Sequence, residues 1–559
     1  MDNKTISRTF RLLAQLMELH DVNPFKIKSI ANASFKIDKL PFPISGKSIE
    51  EIEKIEGIGK SISAKIVEIL NTGSMAELEE WVAQTPPGVI EMLGIKGIGP
   101  KKIAVIWHDL KIDTVGELYY ACNENRLIEA KGFGLKTQEE IKKVIEFKMA
   151  ANGRFLYVHV VPVVDNLFEQ ISVWLNTFDQ HTLLGVGGQF RRCCEIIDEV
   201  PLVIGTDKLA ELTAKICEFD KLPFIQTAPD FFMATDSSGL QIKLTIVPKS
   251  DFFVEWFKQT GNEAHVADVL SRVSSSEFQS EEAIYEAAGL AFVEPELREG
   301  LDEVELALSN TLPDLISFAD LKGSLHNHST WSDGVHTIEE MALYCRDTLN
   351  LQYFGICDHS KSAFYAKGLE IERVFAQHRE IDALNAKLTP FKIFKGIESD
   401  ILSDGSLDYP DEVLKTFDFV VASIHSPLRM DEEKATTRLI RAIENPYTTI
   451  LGHPTGRLLL SRAGYPIDYK KVIDACSENG VVIEINANPL RLDLDWRWHR
   501  YALEKGVLLS INPDAHRREG LYDMHFGVLV ARKGGLTAKQ NLNSFSVDQI
   551  VEHFEARKR

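Results

Sequence analysis

Two histidines and an aspartate lie close together in the segment SLHNHSTWSDG (324–334), as His326, His328 and Asp333. Imidazole nitrogens and carboxylate oxygens are the side-chain groups that bind Zn, Mn and Fe ions in proteins. One such segment does not decide between a metal site and a polar loop. The surrounding elements must show whether further ligands converge on it.

Seven apolar segments of the C-terminal half are predicted strands. Six of them are followed by residues of the same ligand types, and the sixth in chain order ends with Glu484 and Asn486. The segments are LKGSL (321–325), YFGIC (353–357), KIFKGI (392–397), DFVVAS (418–423), TTILG (448–452), VVIEI (481–485) and VLLSI (507–511). Amphipathic helical segments separate them, and this alternation predicts a parallel sheet, either a barrel or an open sheet. In a parallel barrel all strands end on one face, so residues that follow them should meet there.

Six imidazoles and three carboxylates at these strand ends are candidate metal ligands. They are His326, His328, Asp333, His359, Glu398, His425, His453, Asp514 and His516. These nine groups cannot all be exposed to solvent, and they cannot all be buried without partners. The donor set suits two or three divalent ions of Mn, Zn or Fe, because Ca²⁺ prefers oxygen ligands. Ions held in this way can activate water and hold phosphate oxygens. Candidate phosphate-binding residues in loops on the same predicted face are Lys367, Arg457 and Arg491. The alternative for each of them is an ordinary surface charge.

The composition is that of a globular protein with several domains. The chain has 559 residues, of which 44% are hydrophobic. No apolar run approaches the ~18 residues of a membrane span, and the N-terminus lacks a signal-peptide pattern. The seven cysteines are scattered without a C-x-x-C pair, as in reduced proteins. We therefore expect a cytoplasmic protein that does not contact membranes.

The net charge of −20 is unevenly distributed. Residues 1–150 contain 21 basic and 21 acidic side chains, whereas the remainder contains 41 basic and 61 acidic ones. Ten of the sixteen histidines fall between residues 326 and 525. An acidic, histidine-rich C-terminal half favours cation binding, although an acidic surface also serves solubility.

A short glycine pattern occurs three times in the first 150 residues, which read as helical: IEGIGKSIS (55–63), IKGIGPKKI (95–103) and AKGFGLKTQ (130–138). The candidate DNA-binding residues are Gly57, Gly59, Gly97, Gly99, Lys101, Gly132 and Gly134. Such glycines permit a tight hairpin between two helices, whose backbone N–H groups can hold a phosphate. Further lysines follow the glycines, at Lys60, Lys102 and Lys136. The repeats predict sequence-independent binding of the DNA backbone, with plain helix turns as the alternative.

The C-terminal motifs resemble those of the PHP phosphoesterase family. HNHSTWSDG, CDHS, AKGL, GIESDI, SIHS, GHPTGR and PDAH follow the family's order across residues 320–532. The resemblance implies a distorted seven-stranded barrel, up to three metal ions, and a bridging role for Glu398. Ser324 and Pro513 depart from the family, which usually has Asp and Thr or Ser there. Both positions are expected to lie behind the ligands, so the ligand set stays complete.

The front of the chain resembles the family X DNA polymerases of bacteria, which carry a PHP domain at the C-terminus. GGQFRRCCEIIDEVP (187–201) is similar to the palm motif of that family, including Arg191, Arg192 and Glu195. Two catalytic aspartates of the palm correspond to Glu199 and Pro201, and a third corresponds to Lys243. Because two-metal nucleotidyl transfer needs carboxylates to hold the ions, the resemblance implies a palm that is inactive in synthesis.

These observations predict a multidomain α/β protein with five domains. They are a helix-hairpin-helix, lyase-like domain (1–90), a helical fingers-like domain (91–154), a degenerate palm (155–255) of α+β nucleotidyltransferase type, a thumb-like region (256–318) and a distorted (β/α)7 PHP barrel (319–559). The palm strands are predicted in FLYVHVVPV, TLLGVGG, VPLVIG and LQIKLTIVP. Lys65 corresponds to the Schiff-base lysine of the family's lyase domain, and is either a lyase residue or a solvated helix lysine.

The predicted function is a metal-dependent DNA phosphodiesterase. The resemblance implies 3′→5′ exonuclease activity, 3′-end processing or abasic-site incision in DNA repair, on gapped, nicked or single-stranded 3′ ends. A small-molecule phosphatase of the histidinol-phosphatase kind, a non-catalytic DNA-structure binder and a gap-filling polymerase stay open as alternatives. The sequence does not predict an oligomeric state.

Overall fold

A computed structural model describes residues 1–128, 130–150, 153–275 and 277–558. The chain divides into two compact units, Met1–Glu146 and Phe147–Arg559. Among the described residues, no helix combines the length and the apolar character needed to cross a bilayer. The finer division into five domains stays a prediction.

The first unit is helical, as predicted. Its helices are α1 (Asn3–Leu19), α2 (Pro24–Lys39), α3 (Ile49–Glu53), α4 (Lys60–Thr72), α5 (Ala76–Gln84), α6 (Pro87–Met92), α7 (Pro100–Ala104), α8 (Val115–Asn123) and α9 (Leu135–Ala150). Helix α1 begins after Asp2, whose side chain accepts a hydrogen bond from the N–H of Thr5. Apolar residues at helical spacing, such as Phe10, Leu13 and Met17, are fully buried.

The second unit begins with a mixed sheet. Its strands are β1 (Phe155–Leu156), β2 (Leu183–Val186), β3 (Ile196–Ile197), β4 (Glu199–Thr206), β5 (Ile225–Ala228), β6 (Phe231–Thr235) and β7 (Gln241–Pro248). The accompanying helices are α10 (Tyr157–Phe178), α11 (Gly188–Arg191) and α12 (Leu209–Lys215). Five strands form a sheet in the order β2-β4-β7-β6-β5, in which β4 and β7 are parallel. The predictions of strands in TLLGVGG, VPLVIG and LQIKLTIVP are confirmed.

The prediction of a strand in FLYVHVVPV is wrong beyond its first two residues. Phe155–Leu156 is extended, and α10 begins directly afterwards. The buried residues of α10 recur every three or four positions, at Val160, Val164, Leu167, Ile171 and Leu175. Packing of this helical face onto the palm core outweighs the strand preference of the valines.

Helices and loops follow the palm, as predicted. They contain α13 (Phe252–Thr260), α14 (Glu263–Ser271), α15 (Glu281–Ala287) and α16 (Glu303–Leu308). Buried His265 joins three of these segments, because its ring nitrogens lie 2.8 Å from the Glu303 carboxylate and 2.8 Å from the Tyr285 hydroxyl. The thumb-like region therefore has its own core.

Seven parallel strands form the C-terminal barrel, all at the predicted places. They are β8 (Gly323–Ser324), β9 (Tyr353–Ile356), β10 (Lys392–Asp400), β11 (Phe419–Ser423), β12 (Ile450–Leu451), β13 (Val482–Asn486) and β14 (Leu509–Asn512), hydrogen-bonded in sequence order. The helices are α17 (Ile338–Asp347), α18 (Ile371–Leu388), α19 (Asp411–Leu414), α20 (Glu432–Ile443), α21 (Tyr469–Asn479), α22 (His499–Glu504), α23 (Met524–Lys533) and α24 (Val547–Arg557).

The barrel closes imperfectly between its first and last strands. Asn327, just after β8, forms an isolated parallel bridge with Ala515, just after β14. Below this bridge, fully buried Asn543 donates to the Gly323 carbonyl of β8 (3.1 Å) and accepts from the Ile511 N–H of β14 (2.7 Å). Its amide supplies hydrogen bonds that a further strand would otherwise make, which explains how a distorted seven-stranded barrel satisfies its edges.

Candidate functional site

All nine candidate ligands lie at the carboxyl ends of barrel strands. His326, His328 and Asp333 follow β8, His359 follows β9, Glu398 lies near the end of β10, His425 follows β11, His453 follows β12, and Asp514 and His516 follow β14. Because the strands are parallel, these ends share one face of the barrel. The predicted convergence is confirmed, and the cluster is almost entirely buried.

The Glu398 carboxylate lies at the centre of the cluster. Three imidazole nitrogens lie within 3.4 Å of its Oε1 atom, from His326, His425 and His453. Two more approach its Oε2 atom, from His359 (2.9 Å) and His328 (3.6 Å). Both oxygens of this carboxylate therefore contact imidazoles, and the bridging role that the resemblance implies for Glu398 stays a prediction.

The other two carboxylates lie on either side of the same imidazoles. Asp514 Oδ1 is 3.0 Å from His328 Nε2. Asp333 Oδ1 is 3.4 Å from His516 Nε2, and its Oδ2 is 3.5 Å from His359 Nε2. Each carboxylate thus lies close enough to imidazole nitrogens for oxygen and nitrogen atoms to bind one cation together.

These residues fit divalent metal ions. Three overlapping groups could each hold one ion, namely His326-His328-Asp514, His328-Asp333-His359-His516 and His359-Glu398-His425. Among the described residues, some buried nitrogens of the candidate ligands lack a hydrogen-bond partner, including His328 Nδ1 and His453 Nδ1. Buried polar atoms without partners are costly, and bound cations would remove that cost.

The cluster perturbs its own ionisation. Burial lowers the pKa of His328 to about 3, and the neighbouring His516 and His359 rings add to this effect. Burial also opposes the charged form of Glu398, but His425, His326 and His359 outweigh it and hold the pKa of Glu398 well below its usual value. Burial also opposes the charged forms of His326, His359 and His425, but the neighbouring carboxylates outweigh it and raise the pKa of these rings well above the usual value. Metals bind the neutral imidazole and the ionised carboxylate, so an ion that enters the cluster would displace protons from these rings.

Glu484 on β13 orients the first histidine of the cluster. Its fully buried carboxylate lies 2.7 Å from His326 Nδ1 and accepts from the backbone N–H of His453 at 2.8 Å. A carboxylate on one ring nitrogen fixes the tautomer and aims the other nitrogen at the metal. Asp400 has the same relation to His425, at 2.8 Å. The sequence placed Glu484 at a strand end, but its role depends on contacts across the barrel.

A second buried carboxylate, Asp358, holds the loop that carries Asp333. It accepts from the backbone N–H groups of Ser329 (2.8 Å) and Ser332 (3.2 Å), and from the Gln377 side chain (2.7 Å). Burial raises the pKa of Asp358 despite these bonds. Its position directly before His359 was the available sequence signal for this role.

Two ligand residues have a left-handed backbone. The φ angle is 53° at Asp514 and 23° at His453. Non-glycine residues rarely adopt such angles, and the strain is typically maintained at functional sites by the surrounding structure. The backbone after β12 and β14 is therefore bent to direct these two side chains.

The two departures from the PHP pattern lie behind the ligands. The Ser324 hydroxyl exchanges hydrogen bonds with the Asn327 side chain at 2.9–3.1 Å. Pro513 is buried directly before Asp514. Neither position removes a ligand, as expected.

The three candidate phosphate-binding residues have different surroundings. Lys367 is exposed on the loop after β9, and Arg491 is 6% exposed. Arg457 makes its contacts within the protein. Its guanidinium donates to the carbonyls of Arg491 (2.9 Å) and Leu492 and to the Asp495 carboxylate. Arg457 therefore stabilises the loop that carries Arg491.

The degenerate palm positions form an ion pair in place of a metal site. Pro201 of β4 lies opposite Lys243 of β7, two residues beyond Glu199. The Lys243 ammonium lies 2.6 Å from the Glu199 carboxylate. A lysine thus neutralises the carboxylate, where a polymerase would need several carboxylates around two ions.

The matching palm residues are joined to other parts of the second unit. Arg191 donates to Glu281 of α15, which Arg298 also contacts at 2.7 Å. Glu195 accepts from Trp496 of the barrel at 3.2 Å and from Arg497 at 3.0 Å. These side chains now connect palm, thumb-like region and barrel.

The lyase candidate Lys65 forms an ion pair. Its ammonium lies 2.5 Å from Glu77, which also contacts Lys26 at 2.6 Å. The two alternatives for Lys65, a lyase residue and a solvated helix lysine, stay predictions.

The three glycine repeats share one geometry. Gly57, Gly97 and Gly132 have φ angles of 81°, 100° and 89°, which favour glycine. The second glycine of each repeat lies directly before a helix, α4, α7 or α9. Gly59 is the N-cap of α4 and Gly99 is the N-cap of α7, and neither cap makes a side-chain hydrogen bond. A Cβ atom on Gly59, Gly97, Gly99, Gly132 or Gly134 would meet nothing within 4 Å. The second and third hairpins are therefore open to a ligand that approaches their backbone, whereas the Lys36 side chain lies against Gly57 of the first hairpin.

Comparisons with known proteins agree with this architecture. Residues 1–75 match the family "Helix-hairpin-helix domain", and residues 89–146 match "SAM-like Helix-hairpin-helix tandem". The chain is 34% identical to the DNA polymerase/3′-5′ exonuclease PolX of Bacillus subtilis, over 98% of this chain and 99% of that protein. A probable phosphatase of Thermoanaerobacter sp. is 32% identical over 32% of this chain and 74% of its own length. A probable phosphatase of Acetivibrio thermocellus is 32% identical over 34% of this chain and 78% of its length. The chain therefore belongs to the bacterial family X DNA polymerases that carry a C-terminal PHP phosphoesterase domain.

Proposed function

We propose that this protein is a metal-dependent DNA phosphodiesterase that removes nucleotides from 3′ ends. The observation that carries the proposal is the buried cluster of imidazoles around Glu398, flanked by Asp333 and Asp514. Two or three ions of Mn, Zn or Fe, best Mn²⁺, would occupy it. The name of the Bacillus subtilis relative includes 3′-5′ exonuclease activity, which supports the polarity.

The residues of the chain prepare the cluster for phosphate chemistry. Bound ions would supply Lewis-acid stabilisation of the phosphate oxygens. Glu484 and Asp400 hold the His326 and His425 rings in one tautomer, and Asp358 holds the loop of Asp333. Burial excludes water and strengthens each electrostatic contact. Lys367, Arg457 and Arg491 stay the proposed phosphate-binding residues.

The hairpins of the first unit would hold the DNA backbone. Their open glycines and following lysines suit phosphate contacts without base specificity. The matched helix-hairpin-helix families support this assignment. Gapped, nicked or single-stranded 3′ ends are the proposed substrates, and 3′-end trimming or abasic-site incision in DNA repair is the proposed context.

The test measures digestion of 3′- and 5′-labelled DNA together with metal content. His328→Ala and Asp514→Ala should reduce hydrolysis by orders of magnitude while DNA binding persists, because each removes a ligand and leaves the hairpins intact. His336→Ala, on the same loop as His328 but outside the cluster, is the matched control. Wild-type hydrolysis that resists EDTA, or equal activity in the folded ligand variants, would refute the proposal.

A small-molecule phosphatase is the second candidate, because the phosphatase relatives match the chain over about a third of its length. Hydrolysis of histidinol phosphate in preference to DNA would favour it. A gap-filling polymerase is disfavoured by the Glu199–Lys243 ion pair.

A further inference from the structure

An exposed aromatic side chain lies on the loop that begins at the ligand His359. Phe364 exposes 70% of its surface, whereas Ala363, Ala366 and Leu369 on the same loop are fully buried. The loop joins β9 to α18. It buries its other apolar residues and presents this ring to solvent.

The loop is held in one conformation. The N–H and hydroxyl of Ser362 both donate to the Asp408 carboxylate at 2.6 Å. The N–H of Leu369 donates to the carbonyl of His359 at 2.8 Å, which closes the base of the loop. A Cβ atom on Gly368 would lie 2.0 Å from the Ser360 carbonyl oxygen, so the two strands of the loop touch. The exposed ring therefore projects from a backbone that is held on both sides of it.

Aromatic rings connect Phe364 to the ligand cluster. The Phe364 and Tyr365 ring centroids are 5.9 Å apart, and Tyr365 lies 6.5 Å from the His359 ring. Neighbouring nucleotides of an extended single strand span distances of this order. A base on Phe364 would thus belong to a nucleotide close to the phosphate that the cluster would hold.

The charge of the loop suits a nucleic acid. Residues 360–369 contain two lysines, Lys361 and Lys367, and no carboxylate. The chain after residue 150 is otherwise acidic, with 61 acidic and 41 basic side chains. A local basic segment in an acidic domain attracts a phosphate backbone to this side of the cluster.

We propose that Phe364 is a stacking platform for a base at the 3′ end of single-stranded DNA, so that unpaired or frayed ends are the preferred substrates. This inference rests on the proposed nuclease function. Aromatic side chains beside basic grooves bind single strands by base stacking without sequence preference. A paired end must first unstack its base, which costs free energy.

The experiment combines a protein change with a change in the DNA. Hydrolysis of single-stranded oligonucleotides is measured for wild type, Phe364→Ala and Phe364→Trp, with Phe375→Ala as an exposed aromatic control on α18. A second oligonucleotide carries abasic residues at its 3′ end. Phe364→Ala should lower kcat/KM on normal ends by about 5- to 150-fold, the range for loss of one stacked base. It should leave the abasic ends unaffected, and Phe364→Trp should retain activity.

The outcomes separate the stacking inference from the nuclease proposal. Equal activity of Phe364→Ala and wild type on normal ends overturns the inference, and so does an equal loss on abasic ends, which would indicate a general structural defect. If wild type does not cleave DNA, the nuclease proposal fails. The inference is then decided with a 3′-terminal 2-aminopurine, whose fluorescence wild type should quench on binding and Phe364→Ala should not.

Discussion

The substitution Glu484→Gln tests whether a residue behind the ligands controls the metal centre. The Glu484 carboxylate accepts four hydrogen bonds, with Oε1 facing His326 Nδ1 (2.7 Å) and Asn512 (3.1 Å), and Oε2 facing the His453 N–H (2.8 Å) and Asn486 (3.2 Å). An amide of the same shape has one oxygen. If its NH₂ group faces the His453 N–H and Asn486, two of the four contacts are lost. If it faces His326 and Asn512, the contact to Asn512 is lost and the contact to His326 persists only in the other ring tautomer.

The magnitude follows from these contacts. A buried group left without its partner costs about 1–3 kcal/mol. If the amide NH₂ faces His326, Nδ1 of the ring must accept the hydrogen bond. The ring proton then lies on Nε2, which is the atom that faces Glu398 and Asp514. Loss of such an orienting carboxylate typically lowers metal affinity or activity by about 10- to 100-fold.

The assay compares Mn²⁺ affinity, hydrolysis and melting temperature for wild type, Glu484→Gln and Glu504→Gln. Glu504 is 63% exposed in the same barrel and serves as the control. We expect weaker metal binding and partial recovery of hydrolysis at high Mn²⁺ for Glu484→Gln alone. A folded Glu484→Gln protein with wild-type metal affinity would show that the His326 tautomer does not matter, and would refute the reasoning.

Four further predictions concern other parts of the chain. DNA binding by the full chain should weaken steeply from low to moderate salt, because phosphate contacts release counterions. The double substitution Gly97→Val with Gly132→Val should also weaken DNA binding. Salt-independent binding would contradict the hairpin assignment. Primer extension across a gap should be absent, and incorporation that is lost on Glu199→Ala but retained in His328→Ala would show an active palm. Burial opposes ionisation of Glu281, but Arg191 and Arg298 outweigh it and lower its pKa. The stabilising contribution of Glu281 is therefore present above the usual value of 4.5 and is lost as pH falls through the lower folded pKa. The difference in melting temperature between wild type and Glu281→Gln should shrink with acidification, and a constant difference would argue against the ion pairs. Asn543→Leu should lower the melting temperature by several degrees through loss of the bonds that close the barrel, and an unchanged transition would mean that these bonds contribute little.

The sequence alone was sufficient to predict the barrel strands and the convergence of the candidate ligands at one face. The reason is that parallel strands end on one face, so a local pattern of apolar strand followed by His, Asp or Glu already implies convergence. The hairpins were predictable in the same way, because a positive φ at Gly57 or Gly97 is a local requirement. The degenerate palm was visible in the types of Pro201 and Lys243, since neither side chain can bind a cation.

Tertiary structure decided what depends on partners distant in the chain. Glu484 and His326 are 158 residues apart, so no local pattern assigns one to orient the other. Burial of a helical face turned the valine-rich segment after Phe155 into α10, because packing outweighs intrinsic preference. The carbonyls around Arg457 and the exposure of Phe364 likewise follow from how loops fold onto the barrel. Residue types thus determined which chemistry this chain can perform, whereas long-range packing decided which side chains take part in it.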